Sequence, residues 1–594
     1  MTATTATSSI AKQGIDDFIV RQGPEAFREL VARATAPEPK PISLARYRGE
    51  LIERRIQSID EPGVYLDTSP TGSGKSFADT VAAKAACKSL TVLTTHDNCE
   101  EVEVEYLGHG LRASAYPPLC EETCAKFGEA ERVMAYGLSP AKTLCPDCEH
   151  SASCEYQTGM KYTESMPHRI ATHARAKYGL RELADGSYYV TLHEDSRETL
   201  RPTAEVAKGF DDVAHVAHVA AGKVWNKTDM TVRHYLTRMQ DSAHALAAHL
   251  RDAETTARID IPSPAGGVPQ IDILLYRSIQ SSNVHPNGAA MRLCRDIADG
   301  RVHELTVRVD TVCRKGGDQE VRRSIVAVSQ AQLPEGVPVW INDATADPDE
   351  YRSLTGCPIV HYGADAPIEQ KHGITQVPID TTKGTAPATA CKILRAVLAR
   401  YPEAQRVGVM CHREHVTAIR GTARGASVLD GVTRSRIAMV EYFRGGQCRG
   451  SNSWLDCDLL IVLGTPRVPQ SVIRTRLIAA GNVEAAAREP KWERDYWSGV
   501  DRDGRRHTVR SLAYTDHDWH QAHRAVVAAE LIQAAGRGRG ICDNGIPVVV
   551  VTTEELGFPL AGWEPRPIDD TMHESLVAIG ELTRMFPTGE SFKS

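Results

Sequence analysis

No stretch of this 594-residue sequence approaches the roughly 18–20 consecutive apolar residues that a membrane-spanning helix needs, so bilayer insertion is excluded. The first residues, MTATTATSSIAKQG, lack a basic segment followed by an apolar one, so no secretory leader is expected and a cytoplasmic location follows. Positive charge is not in surplus either. The formal net charge of -7 removes any global signature of nucleic-acid binding, and such contacts would have to use local basic patches inside a cleft. The chain is also too long for one hydrophobic core, so several domains are expected.

Cysteine, in contrast, is plentiful. Fifteen cysteines in a chain without an export signal read as reduced thiols, and clusters among them as metal ligands or catalytic groups rather than disulfides. Cys87, Cys294, Cys411 and Cys457 lie singly in apolar surroundings and are expected to be buried small hydrophobes. The stretch LCPDCEHSASCEY (144–156) differs. It sets Cys145, Cys148 and Cys154 at x2 and x5 spacing among Pro, Asp, Ser and His, a composition that fits neither a core helix nor a core strand.

The most informative segment is GVYLDTSPTGSGKSFADTVAAKAACKSLTVLTTH (63–96). Its pattern predicts a strand at Val64–Leu66, a Gly/Ser/Pro turn, a helix over about Ser76–Ala86 and a second strand at Leu90–Leu93, the βαβ unit of a doubly wound sheet. The turn, Thr71, Gly72, Ser73, Gly74, Lys75 and Ser76, has the composition of a phosphate cradle. Its glycines let backbone N–H groups converge on phosphate at a helix N-terminus, Lys75 reaches the β/γ-phosphates, and the Ser76 hydroxyl can sit on Mg²⁺. Ser69 stands where the general pattern has its first Gly.

SPTGSGKS (69–76) also resembles motif I of superfamily-two helicases, and later stretches follow that family's order. VLTTHDNCEEVE resembles motif Ia, which implies that Thr95 and His96 touch a nucleic-acid backbone. Asp343-Ala344-Thr345 is similar to motif III, QRVGVMCHREH (405–415) to motif IV, and QCRGSNSWLDCDLLIVLGTP (447–466) to motif V of the DinG/XPD branch, implying nucleic-acid contacts from Arg449, Ser451 and Asn452. ELIQAAGRGRG matches motif VI, which implies roles for Gln533, Arg537 and Arg539 at the γ-phosphate. The family's second motif VI arginine comes three residues after the first. Here Gly540 fills that place and Arg539 precedes it, so which arginine acts as the finger stays open.

The family's DEAH motif falls on His193, Glu194, Asp195 and Ser196 after the strand SYYVTLHEDSRETLRP (187–202). The metal-holding Asp has become His193, a poor Mg²⁺ ligand. Glu194, which would orient the attacking water, is retained, and Asp195 is expected to assist the metal. FDDVAH (210–215) is a rival match, ranked lower because TAEVAKG before it reads as helix.

Between motif Ia and this acidic motif the resemblance implies a four-cysteine insertion carrying a [4Fe–4S] cluster, here Cys124, Cys145, Cys148 and Cys154, with Cys120 a rival for the first ligand. Spacing alone leaves zinc open. HRIATHARAKYG (168–179) resembles the segment in which the family's chain returns to the first lobe, with His173 structural.

The implied fold is α/β: two RecA-like parallel-sheet lobes, with a Cys-rich metal insertion and a helical arch in the first. The expected divisions are a leader and linker at 1–43, first-lobe segments at 44–115, 166–205 and 336–365, the Cys-rich insertion at 116–165, the arch at 206–335 and the second lobe at 366–594. Within the arch, Leu236, Met239, Ala243, Leu246 and Leu250 mark an amphipathic helix. IDIPSPAGGVPQIDIL begins a small extended element, and the cations of 308–323 form either a solvated face or a strand-binding surface. Residues 14–31 resemble the closing helix of toprim-like domains in mobile-element primases, implying a phage or plasmid replication origin and a primase or other replication partner; a plain amphipathic leader helix is the alternative.

The expected activity is ATP- and Mg²⁺-dependent translocation, 5′→3′, on single-stranded or forked DNA. The alternative is a nucleotide-gated clamp with weak or no unwinding, because of His193.

Overall fold

In the computed structural model residues 41–177, 179–224, 230–268, 271–313, 319–363, 368–421, 428–445, 453–500, 506–556 and 562–563 are described. The leader helix expected at 14–31 lies outside them. Two parallel sheets organise the chain. The first runs in the order Ile359–Tyr362, Gly63–Asp67, Pro338–Asn342, Tyr189–His193, Ser89–Leu93, His168–Thr172 and Ala113–Ala115. Its three central strands, Pro338–Asn342, Tyr189–His193 and Ser89–Leu93, are buried at every position, as a sheet covered on both faces requires.

Strand order does for the site what sequence order cannot. The strands ending at Asp67, Asn342 and His193 are neighbours, and the register pairs Asp67 with Asn342 and Asn342 with His193. Three residues from distant segments therefore form one row at the carboxyl edge, where open α/β sheets bind ligands.

The second sheet runs Ile437–Tyr442, Val407–Cys411, Leu459–Leu463, Val548–Val551, Ile374–Val377 and Gly562–Trp563, again all parallel. Strand Leu459–Leu463 has the bounds its apolar run predicts.

Residues 203–335 correct two expectations, on TAEV and on Arg308, and the region expected as a helical arch holds a sheet beside its helices. Helices Phe210–Gly222, Met230–Asp252, Ile271–Ser282 and Gly288–Ala298 enclose a core containing Leu236, Met239, Ala243 and Leu246. Beside them lies an antiparallel sheet of Thr203–Val206, Gln319–Ser329, Val302–Cys313 and Ala257–Ile259. TAEV is thus a strand rather than a helix, because Thr203–Val206 finds a partner in Gln319–Ser329 that local propensity cannot foresee. FDDVAH itself is helical. Arg308 is neither solvated nor open to a ligand: it is buried and paired with Glu205 and with Asp310 at 2.8 Å.

That antiparallel sheet also joins the two halves. Val326 and Val328 share a core with Ile473, Leu477, Ile478 and Trp519 of the second half. Of the lone cysteines, Cys294, Cys411 and Cys457 are buried as expected, but Cys87 is exposed, since it ends its helix in a left-handed turn.

Helix Leu44–Gln57 precedes the first strand and buries Tyr47, Leu51 and Arg55, a stripe with four-residue spacing. It packs against the helix of the phosphate loop, Lys75–Ala86.

Candidate functional site

The phosphate loop turns on Gly72 and Gly74, both with positive φ (90° and 99°), a conformation that side chains resist. Gly74 caps helix Lys75–Ala86 without a side-chain hydrogen bond, leaving the first-turn N–H groups to a ligand. Thr71 lines the loop, the Ser73 hydroxyl is buried without a hydrogen-bond partner among the described residues, and Ser76 is exposed. Lys75 donates from Nζ to the Ser69 carbonyl. Burial lowers its pKa, although Asp67 and Asp343 act to raise it. Ser69, the departure from the Gly pattern, is used: its N–H reaches Asp67 Oδ1 at 2.9 Å, and its hydroxyl bonds to Asp67 and Tyr47.

Beneath the loop lies a buried charged cluster. Arg55 reaches Asp67 at 2.6 Å, Asn342 at 2.6 Å and Asp79 at 3.1 Å, and its guanidinium lies 3.7 Å from the Trp340 ring centroid. Asp79 also accepts from Tyr189 (2.8 Å) and Asn342 (2.5 Å), and His193 Nε2 stands 3.2 Å from it. Burial would raise the Asp79 pKa, but Arg55 and His193 hold it below the usual carboxylate range. The imidazole at the altered acidic position therefore faces a carboxylate on the phosphate-loop helix.

Glu194 follows with φ +63°, a strained conformation for a non-glycine residue. Its amide donates to the Asn342 carbonyl at 2.7 Å, and Thr94 donates to its Oε2 at 2.8 Å. Its Oε1 meets Arg537 Nη2 at 3.5 Å. Asp195 is held by Arg197 at 3.0 Å, and Arg197 also reaches Asp343 and Glu350. A metal role for Asp195 would have to compete with that guanidinium.

The motif VI segment lies directly on the phosphate loop. Gln533 sits in the last turn of helix His517–Gly536, and Arg537 is its C-cap. A Cβ on Gly536 would come within 2.7 Å of the Thr71 hydroxyl, and one on Gly72 within 3.1 Å of Cys542 Sγ and 3.5 Å of the Arg539 side chain. Burial, with Arg537 and Arg48 nearby, lowers the Arg539 pKa against the pull of Cys542. Arg48 donates to the carbonyls of Gly72 (3.0 Å) and Ser73 (3.4 Å).

Sequence reading passed over Arg48, Arg55, Asp79 and Thr94. Asp79 alone left a signal, as an acid one turn after Lys75 in an alanine-rich helix.

Cys124, Cys145, Cys148 and Cys154 line one cavity of about 240 Å³. Burial, and then the sulfurs of Cys154, Cys124 and Cys148, push the Cys145 thiol up, with Gln157 acting the other way. Cys120 sits against Thr123, its sulfur 3.4 Å from that hydroxyl. Among the described residues no three His, Cys, Asp or Glu side chains are grouped so as to hold a metal ion.

Thr95 caps helix His96–Gly108 by accepting from the Asn98 amide, which puts His96 at the helix start beside the carboxyl edge of Ser89–Leu93. Arg449, Ser451 and Asn452 lie outside the described residues.

No family model and no curated protein sequence matches the chain. Among solved structures it is similar to S. tokodaii Xpd4, with TM-score 0.42 and 10% identity, covering 85% of this chain and 95% of that one. It is similar to S. cerevisiae Dbp5 bound to RNA and ADP BeF3, with TM-score 0.36 and 7% identity over 96% and 98% of the two chains. It also resembles the Mycobacterium smegmatis helicase Lhr bound to ssDNA and AMP-PNP, with TM-score 0.32 and 12% identity over 89% of this chain and 47% of that one.

Proposed function

We propose that this chain is an ATP-dependent DNA helicase of the superfamily-two DinG/XPD type. Two RecA-like lobes, 44–365 with its insertions and 366–594, would enclose the nucleotide and move along single-stranded DNA, 5′→3′, in the cytoplasm. The observation that carries this reading is the 3.5 Å approach of Arg537, from one half of the chain, to Glu194 beside the phosphate loop of the other. Loop amides and Lys75 would bind the triphosphate, and Ser76 would hold Mg²⁺, which neutralises phosphate charge when bound. Glu194 would orient water, and Arg537 would stabilise charge on the transferring phosphoryl group.

The family resemblance implies a [4Fe–4S] cluster for Cys124, Cys145, Cys148 and Cys154, with zinc the alternative; the four sulfurs line one cavity, but as arranged there they do not form a ligand shell. A second reading, a nucleotide-gated clamp with little unwinding, is favoured by His193, whose Nε2 faces Asp79.

Strand displacement on 5′- and 3′-tailed DNA, with iron and zinc content measured alongside, tests the proposal. The expected result is ATP-dependent displacement of the 5′-tailed substrate, lost in Lys75→Ala. DNA-stimulated ATP turnover without displacement would favour the clamp, and turnover indifferent to DNA would overturn both readings.

A further inference from the structure

The antiparallel hairpin Trp492–Val500 and Arg506–Tyr514 takes no part in the nucleotide site. Its register puts Trp492 opposite Tyr514, Arg494 opposite Leu512 and Tyr496 opposite Arg510 on one face, and Glu493, Asp495 and Trp497 opposite Ala513, Ser511 and Val509 on the other. The second face is packed: Val509, Ser511 and Ala513 are buried, and the Trp497 indole donates to the Thr553 carbonyl at 2.8 Å.

The first face is open. Tyr496 is 57% exposed, and Arg494 and Arg510 are exposed and without an ion-pair partner among the described residues. At its root Trp492 lies 3.9 Å from the Tyr514 ring and 5.0 Å from His523, so the aromatic base is anchored. Both acids of the described hairpin residues, Glu493 and Asp495, belong to the opposite face. The separation leaves an exposed aromatic ring between two guanidinium groups that have no ion-pair partner among the described residues. A strand with accessible bases and flanking phosphates complements this set, whereas a duplex, with its bases stacked inside, offers the ring nothing.

The position agrees. Thr553 follows strand Val548–Val551, and the neighbouring Thr552 hydroxyl bonds at 2.8 Å to Thr465, which follows strand Leu459–Leu463, so the hairpin is rooted on the carboxyl edge of the second sheet.

We propose that this face binds single-stranded DNA, with Tyr496 stacking on a base and Arg494 and Arg510 neutralising adjacent phosphates. The assignment deepens the helicase reading and rests on it. Its test is the affinity of the full chain for labelled oligothymidine over a salt series, with ATP turnover in the absence of DNA as the folding control. Tyr496→Ala is expected to weaken binding about tenfold or more while Tyr496→Phe retains it. The Arg494→Ala/Arg510→Ala pair is expected to make the slope of log K against log salt shallower by about 1.4. DNA-free turnover is expected to be unchanged in all of them. Wild-type affinity and slope in these variants would overturn the hairpin's role and leave the helicase reading standing. A wild-type chain that binds no oligothymidine would overturn both, and binding of oligouridine in its place would overturn the assignment to DNA.

Discussion

His193 Nε2 stands 3.2 Å from the Asp79 carboxylate, so the end of strand Tyr189–His193 and the helix Lys75–Ala86 are joined by an imidazole–carboxylate contact. Asp79 is buried and already serves Arg55, so a carboxylate at 193 would meet a like charge at close range.

His193→Asp alone is therefore expected to destabilise the protein by about 1–3 kcal/mol, as is Asp79→Asn, which weakens the compensation of Arg55. The double variant restores the local charge count and should show a favourable coupling of about 0.5–3 kcal/mol in a denaturant-unfolding cycle. Additive effects would refute the pairing. If His193 limits metal binding, ATP turnover of the double variant should also rise.

The two motif VI arginines stand differently. Arg537 faces Glu194, and Arg539 lies over Gly72. Arg537→Ala is expected to cut the rate of ATP hydrolysis about 10³-fold or more, as finger arginines do. Arg539→Ala is expected to weaken nucleotide binding chiefly, raising KM more than it lowers kcat. Steady-state kinetics with both variants decides, and the reverse pattern would exchange their roles.

For the cysteines, Cys145→Ser and Cys148→Ser should each lose bound metal and any visible charge-transfer absorption, whereas Cys120→Ser should keep both. Equal metal content in all three, measured by elemental analysis, would mean that the cavity is not a ligand shell.

Acid sensitivity should come largely from buried histidines, of which His523 and His412 are shifted furthest. His523 is fully buried with neither ring nitrogen hydrogen-bonded among the described residues, and burial, then Arg467 and His520, lowers its pKa from 6.5 to about 4. Burial, then His415, does the same to His412. Both are neutral in the fold and protonate more readily when unfolded. Between pH 6.5 and 4 the unfolded chain thus binds more protons, and stability falls as pH drops, by at most about 3 kcal/mol per histidine. Above pH 6.5 neither contributes a slope. His523→Phe should make that slope shallower in a series of thermal unfolding midpoints, and an unchanged slope would count against the assignment.

Much of the site was legible because phosphate loops and parallel strands are local devices. Lys75 had to sit at a helix start after a Gly turn, and a run such as Leu459–Leu463, apolar on both faces, had to be an interior strand. Thr203–Val206 was misread because strand formation there depends on pairing with a segment more than a hundred residues away. The hairpin face went unnoticed because its two acids alternate with its cations in sequence and part from them only when the strand pleats.

The residues alone determined that a Gly turn carrying Lys75 opens a helix, that His193 and Glu194 end a buried strand, and that four thiols fall within one short segment, since each depends on identity and short-range spacing. Only the tertiary structure decided that Arg537 reaches Glu194, that Arg55 and Asp79 lie buried together under the loop, and that the four thiols share one cavity. Those relations are set by strand order, register and the docking of two halves, which bring together side chains hundreds of residues apart.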